Sequence, residues 1–246
     1  MKLNICQLNT NMLKPIKLKQ KIALCFSGIQ YDIANPKKFI ERFLNNYEVY
    51  CFVHTWEKEE ILNYQRSGSY SMASIDFEEI KKIVSHIDIV TEKFTDRFES
   101  FSRIYNSIYK EKKEIRNNLC LISMFYGIKQ SQLLRKDFEI KNKITFDCVF
   151  RCRFENCWRE DRIFFLHEYN LNNIWLPSTL KHPICDHLSF SNSSNMDYYG
   201  SIYDNIVNLA NKIEYWPEKM LQEHLSIKKI EETNLFGSCG GYLWDS

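Results

Sequence analysis

Nowhere in these 246 residues do 18 apolar side chains follow one another, so no segment announces itself as a membrane-spanning helix. Residues 1–20 carry several lysines but no continuous hydrophobic stretch ahead of a small-residue cleavage site, and no secretory leader is expected. The first strand-like segment is followed by the single Gly28, not by G-x-G-x-x-G. A dinucleotide or S-adenosylmethionine cradle therefore lacks its close-approach glycines. There is no G-x-x-x-x-G-K-[ST], which excludes a P-loop, and no G-x-S-x-G, which argues against an α/β-hydrolase. The nine cysteines fall at irregular spacing with no C-x-x-C pair. Zinc is not expected from them, and reduced thiols inside a cytoplasmic protein are the simpler reading. A formal charge of +2 leaves no basic excess to mark a nucleic-acid binder. Internal repeats, low-complexity blocks and Pro/Gly/Ser linkers are also missing.

What remains is the alternation of a globular α/β chain. Residues 1–20 read as a polar arm, and 21–246 as one domain. Lys14, Lys17, Lys19 and Lys21 give the arm a charge able to touch anionic lipid, though a solvated arm explains them as well. Lys21–Phe26 reads as a strand ending in Ser27-Gly28. Asn35-Pro36 then opens a helix whose apolar positions are Phe39, Ile40, Phe43, Leu44 and Tyr47. Val49–His54 is nearly all apolar, as in a parallel strand buried on both faces. Asp76 starts a helix through Val84, and Ile87–Val90 is a third strand. Helical stripes follow at Phe98–Ile108 and Leu121–Ile128. Ile174–Leu176 is a short strand before a polar loop. Helices at Ile202–Ala210 and from Pro217 precede a turn-rich tail with Gly237, Gly240 and Gly241. This order predicts a mainly parallel central sheet flanked by helices.

One run stands out. From Phe146 to Glu155, one face is Phe146, Cys148, Phe150, Cys152 and Phe154, and the other is Asp147, Val149, Arg151, Arg153 and Glu155. Strict alternation predicts a strand. Its charged end must be paired or face a wet cleft, because an unpaired buried charge costs several kcal/mol, roughly. The carboxyl ends of strands border the ligand crevice in open α/β sheets, so this is where chemistry is expected. Arginine suits phosphate, and a carboxylate can hold a divalent ion or a sugar hydroxyl. An internal salt bridge closing the sheet end is the alternative.

The segments Lys21–Gly28, Cys51-Phe-Val-His54-Thr55-Trp56, Ser123-Met-Phe-Tyr126, Arg151-x-Arg153-Phe154-Glu155, Asp186-x-Leu-Ser-Phe-Ser-Asn192, Met196-Asp197 and Trp216-Pro217-Glu218 recur in one order. Together they resemble bacterial glycosyltransferase-like proteins of capsule and lipopolysaccharide biosynthesis. The resemblance covers most of residues 21–226. It implies a GT-A-like, Rossmann-like domain that binds a nucleotide-sugar donor and transfers the sugar to a glycan or lipid-linked glycan acceptor. The work would be done in the cytoplasm, at the inner face of the membrane. It implies donor contacts from Ser27, Gly28, His54, Arg151, Arg153 and Glu155. Glu155 would stand where a metal-holding carboxylate is usual, with Mn²⁺ or Mg²⁺ as the divalent cation. The family's pattern has Asp at that position, and an arginine where this chain has Gln30-Tyr31-Asp32.

Sugar transfer needs positive charge on the departing diphosphate and a base for the acceptor hydroxyl. Arg151 and Arg153 can supply the first. Asp186 and Glu218 are the candidates for the second, although a loop-capping carboxylate and a helix-dipole partner explain them too. His54 is equally a hydrogen-bonded core histidine. Transfer of a phosphorus-containing group to a glycan and a non-catalytic glycan-binding module are the competing functions.

Overall fold

A computed structural model describes residues 19–30, 36–57, 75–108, 118–154, 165–177, 184–228 and 232–235. Its centre is built from two strands with little choice of partner. β1 (Gln20–Gly28) and β2 (Tyr47–Trp56) are buried along almost their whole length. Strands so apolar on both faces are stable only between other strands and under two layers of helices. They pair in parallel, with β3 (His86–Glu92) beyond β2 and β4 (Cys148–Cys152) on the other side of β1. β6 (Leu188–Ser191) then runs antiparallel to β4 and to β5 (Ile174–Pro177), and β7 (Glu232–Leu235) closes parallel to β5. The order is β3-β2-β1-β4-β6-β5-β7, a mainly parallel mixed sheet as expected.

Each face has its own core. On one, Ile22, Leu24 and Phe150 meet Phe39 and Phe43 of α1 (Pro36–Leu44), with the Phe43 and Phe150 rings 5.1 Å apart. The short α2 (Phe77–Lys81) lies on this side and is capped by Asp76, whose carboxylate accepts from the Glu78 and Glu79 amides at 3.0 and 3.2 Å. The opposite face packs Ala23, Cys25, Phe52 and Val149 against α3 (Phe94–Ile108) and the 25-residue α4 (Asn118–Asn142). It continues under α5 (Ser193–Gly200), α6 (Ile202–Ala210) and α7 (Pro217–Ile227). No helix among the described residues is long and apolar enough to cross a membrane.

Several expectations are corrected. Tyr47 opens β2 and does not extend α1. α2 stops at Lys81, and the Ile83 and Val84 amides close a turn on the Ile80 carbonyl at 3.0 and 3.2 Å. The strand expected over Phe146–Glu155 pairs only from Cys148 to Cys152. Asp147 turns aside, its carboxylate accepting from the Lys21 amide at 2.7 Å. Phe146 therefore joins the α4-side core while Cys148, Phe150, Cys152 and Phe154 join the α1-side core. The polar loop after β5 contains β6 and α5, whose start is capped by Asn192 accepting from the Asn195 amide at 2.9 Å. The arm up to residue 18, the Asn35 cap, Glu155 and the glycine-rich tail lie outside the described residues.

Among the described residues, Cys25, Cys51, Cys148, Cys152 and Cys185 are buried and outside any disulfide, while Cys120 is exposed. Burial pushes the Cys51 thiol above its usual range and lifts Cys25 to about 12, so neither is poised as a nucleophile.

Candidate functional site

From β1 the chain moves outward to β2 and β3, then crosses back to β4 on the other side of β1. That reversal leaves the carboxyl ends of β1 and β4 as the place where a crevice opens in an α/β sheet. β1 ends there in Ser27 and Gly28, and β4 in Arg151 with Arg153 just beyond. Antiparallel β6 begins at the same rim, preceded by Asp186 and His187.

Gly28 has φ +124°, a conformation L side chains rarely adopt, and among the described residues nothing lies within 4 Å of where its Cβ would be. Its carbonyl accepts from the Thr55 hydroxyl at 3.2 Å. Gln30 donates to that same hydroxyl at 3.3 Å and accepts from the Ile75 amide at 3.1 Å. Gln30 therefore ties the ends of β1 and β2 to the approach to α2.

Arg151 is completely buried. Its Nη1 donates to the His187 carbonyl at 2.8 Å, while Nε and Nη2 have no hydrogen-bond partner among the described residues. Arg153 is partly exposed, its Nη1 3.7 Å from the Asp186 carboxylate. The Asp186 carboxyl is buried, yet Arg153, His187 and Arg151 outweigh the desolvation that would raise it and hold it below the usual carboxylate range. A carboxylate so held is a weak base and a strong anchor. Tyr199 and Ser189 back this corner from α5 and β6, and burial lifts the Tyr199 hydroxyl to about 12.

Cys185, Asp186 and His187 each offer a ligand atom within 4.8 Å of the others. Two guanidinium groups beside the only carboxylate of the three oppose a divalent cation there. Glu155, to which the resemblance gives the metal, lies outside the described residues.

His54 stands opposite Ser27 in the β1–β2 register. Both are buried, the Ser27 hydroxyl and both imidazole nitrogens without hydrogen-bond partners among the described residues. Trp56 and Tyr126 pack edge-on to the ring at 5.0 and 5.5 Å. The imidazole thus sits beneath the rim, in the core. Beside it, the Glu92 carboxylate approaches Nε2 at 3.9 Å and takes hydrogen bonds from Arg97 and from the Tyr126 hydroxyl. Desolvation dominates and lowers the His54 pKa to about 4.

Because an unfolded histidine binds its proton near pH 6.5, the stability that neutral His54 confers is complete above that pH. It is lost progressively as pH falls from 6.5 toward 4, by about 3 kcal/mol in all for a difference of that size. Urea midpoints taken between pH 7 and 4 should show this loss in the wild type and a markedly smaller one in His54→Gln. Parallel pH dependence in the two proteins would contradict it.

Gly127 shows how tightly α4 is laid over this spot. A Cβ there would meet His54 Nδ1 at 3.2 Å and Ser27 Cβ at 3.5 Å. Alanine gains about 1 kcal/mol in helix propensity, which offsets the crowding, so Gly127→Ala should unfold close to wild type. Gly127→Leu has no such room and should lose about 1–3 kcal/mol by overpacking. Equal urea midpoints for wild type and Gly127→Leu would show that the helix is not seated as described.

Glu218 lies in the first turn of α7, which packs on α5 and α6. The residues to which sequence reasoning gave no role are Glu92, Arg97, His187 and Arg135. Arg135 of α4 is wholly buried and bonds Glu139, Asp197 and Gln132, the last at 3.2 Å. Glu139 in turn accepts from the Phe146 amide at 3.0 Å and the Ser193 hydroxyl at 2.6 Å. That network joins α4, α5 and the approach to β4, and so sets where the rim stands. Comparison of the chain with models of known families and with curated proteins found no match.

Proposed function

We propose that this protein is a GT-A-like glycosyltransferase that moves a sugar from a nucleotide-sugar donor to a glycan or lipid-linked glycan of capsule or lipopolysaccharide type. The observation that carries the reading is the pair Arg151 and Arg153, in and just beyond the carboxyl end of β4, next to the Ser27-Gly28 end of β1 at the switch point of the sheet. A departing nucleoside diphosphate gathers negative charge on its phosphate oxygens, and preorganised guanidinium donors at a strand end are suited to meet it. Arg153 reaches the ligand, Arg151 anchors the rim from beneath, and Ser27 and Gly28 form the floor. If a divalent cation takes part, Glu155 is the carboxylate offered to it, and the ion would share the diphosphate charge with Arg153. Asp186 and Glu218 are the carboxylates proposed for the acceptor side. A cytoplasmic location, with the lysine-bearing arm at the inner membrane face, belongs to the same proposal.

Thermal-shift titration with nucleoside diphosphates and their sugars, with and without Mn²⁺, tests this. At least one nucleotide should raise the melting temperature in proportion to its concentration. A flat response to every common nucleotide sinks the proposal. A product gaining a phosphoryl-type mass and not a sugar mass would favour the phosphorus-transfer alternative.

A further inference from the structure

Behind Asp186, the sheet and α5 enclose a corner rich in unanswered polar atoms. Val149 lies in the core under α5, and Arg151, two residues on, shares its face. In the pairing, Arg151 stands between Cys25 of β1 and Ser189 of β6. Ser189, directly opposite, projects from the same face with its Cβ roughly 5 Å away. α5 packs on both strands and brings Tyr199 to the spot. Burial raises the Tyr199 hydroxyl, and Arg151 and Asp186 both act on it, which places these groups together. Arg151, Ser189 and Tyr199 are wholly buried, and Asp186 nearly so. Among the described residues, Arg151 Nε and Nη2, Ser189 Oγ, the Tyr199 hydroxyl and Asp186 Oδ2 have no hydrogen-bond partner. Only one arm of the Arg151 fork is used, its Nη1 donating to the His187 carbonyl at 2.8 Å. That carbonyl also accepts from the Arg153 amide at 3.0 Å, which continues the register and sets Arg153 opposite His187.

Buried donors without partners weigh against a folded state, and a buried guanidinium without a counter-charge weighs most. Arg135 shows the usual remedy: equally buried, it is bonded to Glu139 and Asp197. Arg151 is in no ion pair among the described residues. The carboxylate of the corner, Asp186, lies 3.7 Å from Arg153, so two guanidinium groups share one negative charge. All the unpartnered atoms except Asp186 Oδ2 can donate, and the group that suits them is an acceptor bearing negative charge. A water molecule would satisfy some donors and leave the charge excess untouched.

We infer that Arg151, Ser189 and Tyr199 form a buried subsite for an oxyanion, the carboxylate or phosphate group of a ligand. Two of its oxygens meet the Nε–Nη2 edge in the parallel, two-bond geometry that guanidinium makes with such groups. The Ser189 and Tyr199 hydroxyls donate to the same group from β6 and α5. The way in is short, because Asp186 Oδ2 lies against Arg153, whose side chain is 29% exposed. This place differs from the one given to the diphosphate. Residues two apart on a strand are roughly 6.6 Å apart along it, so Arg151 sits one repeat deeper than Arg153. The inference does not rest on sugar transfer; under that reading, the ligand carries an acidic group besides its diphosphate.

The experiment titrates the full chain with inorganic phosphate and with acetate, at ionic strength held constant by chloride, and reads the melting temperature. Wild type should gain about 5 °C at saturation with at least one of the two. Phosphate as the active anion assigns a phosphoryl group, and acetate a carboxylate. Arg151→Met should gain less than about 1 °C, and without either anion it should melt close to wild type, because the charge it removes has no counter-ion. Tyr199→Phe, which keeps the ring, should bind the same anion about tenfold more weakly, as for one hydrogen bond to a charged group. Should Arg151→Met not fold, the Tyr199→Phe affinity decides alone. Arg153→Ala should keep most of the shift. No shift with either anion, an equal shift in Arg151→Met, an unchanged affinity in Tyr199→Phe or a shift lost in Arg153→Ala would overturn the subsite. A wild type that answers phosphate or acetate but no nucleotide sugar would uphold it and count only against the transfer reading.

Discussion

Arg153→Ala should lower kcat/KM for the nucleotide sugar by about 1000-fold and remove the thermal shift produced by the nucleoside diphosphate. The size follows from the loss of one preorganised donor aimed at charge that grows in the transition state. Stability should change little, by about 1 kcal/mol, because the side chain is partly solvated and Asp186 keeps Arg151 and His187 as partners. This separation of effects distinguishes a ligand-binding guanidinium from a bridge that merely closes the sheet end. Differential scanning calorimetry with and without the diphosphate reads both quantities. A destabilised variant that still binds nucleotide with wild-type affinity would give Arg153 to the fold and not to the site.

Arg135→Leu should do the reverse. Its guanidinium is fully buried and answers two carboxylates, Glu139 and Asp197, from the inside of α4. Removing it leaves Glu139, which is largely buried, facing no cation among the described residues, and breaking a buried pair from one side costs about 3–5 kcal/mol. The loss should spread to the site, because Glu139 also holds the Phe146 amide and Ser193 and so places β4 and α5. Lys136 limits the damage at Asp197, which it reaches at 2.8 Å. Urea denaturation of Arg135→Leu and of the double variant Arg135→Leu/Glu139→Gln checks the mechanism. The double variant should recover part of the lost stability. If the single variant loses less than about 1 kcal/mol, the network is not what holds the rim.

The contrast between Arg153 and Arg135 also explains what could be read from the sequence. Arg153 was legible because a strand displays its alternation over a few residues, and a guanidinium interrupting an apolar run is conspicuous. β1, β2 and β4 could be placed for the same reason. Arg135 was not legible. The apolar stripe of α4 carries the expectation as far as Ile128, after which the buried positions are Ser131, Gln132 and Arg135. A helix whose inner face turns polar loses its hydrophobic period while remaining helical, and only the partners on α5 explain the change.

β6 was hidden by length. Leu188–Ser191 is four residues long, half of them serine, and it is a strand because β4 and β5 flank it. His187 was hidden with it. Its relation to Arg153 is a matter of cross-strand register, and register between strands more than thirty residues apart leaves no local trace. Glu92 and Arg97 escaped for a related reason. Their meeting with Tyr126 and His54 depends on where α4 lands on β2 and β3, which the close approach at Gly127 decides.

The most direct measurement is the release of nucleoside diphosphate from a panel of nucleotide sugars incubated with the wild-type protein, water serving as acceptor where no glycan is supplied. The account predicts release from at least one donor, abolished in Arg153→Ala at a temperature where that variant is folded. No release from any donor, with or without Mn²⁺, or release that persists undiminished in Arg153→Ala, would contradict the claim that the charged end of β4 holds a sugar donor's diphosphate.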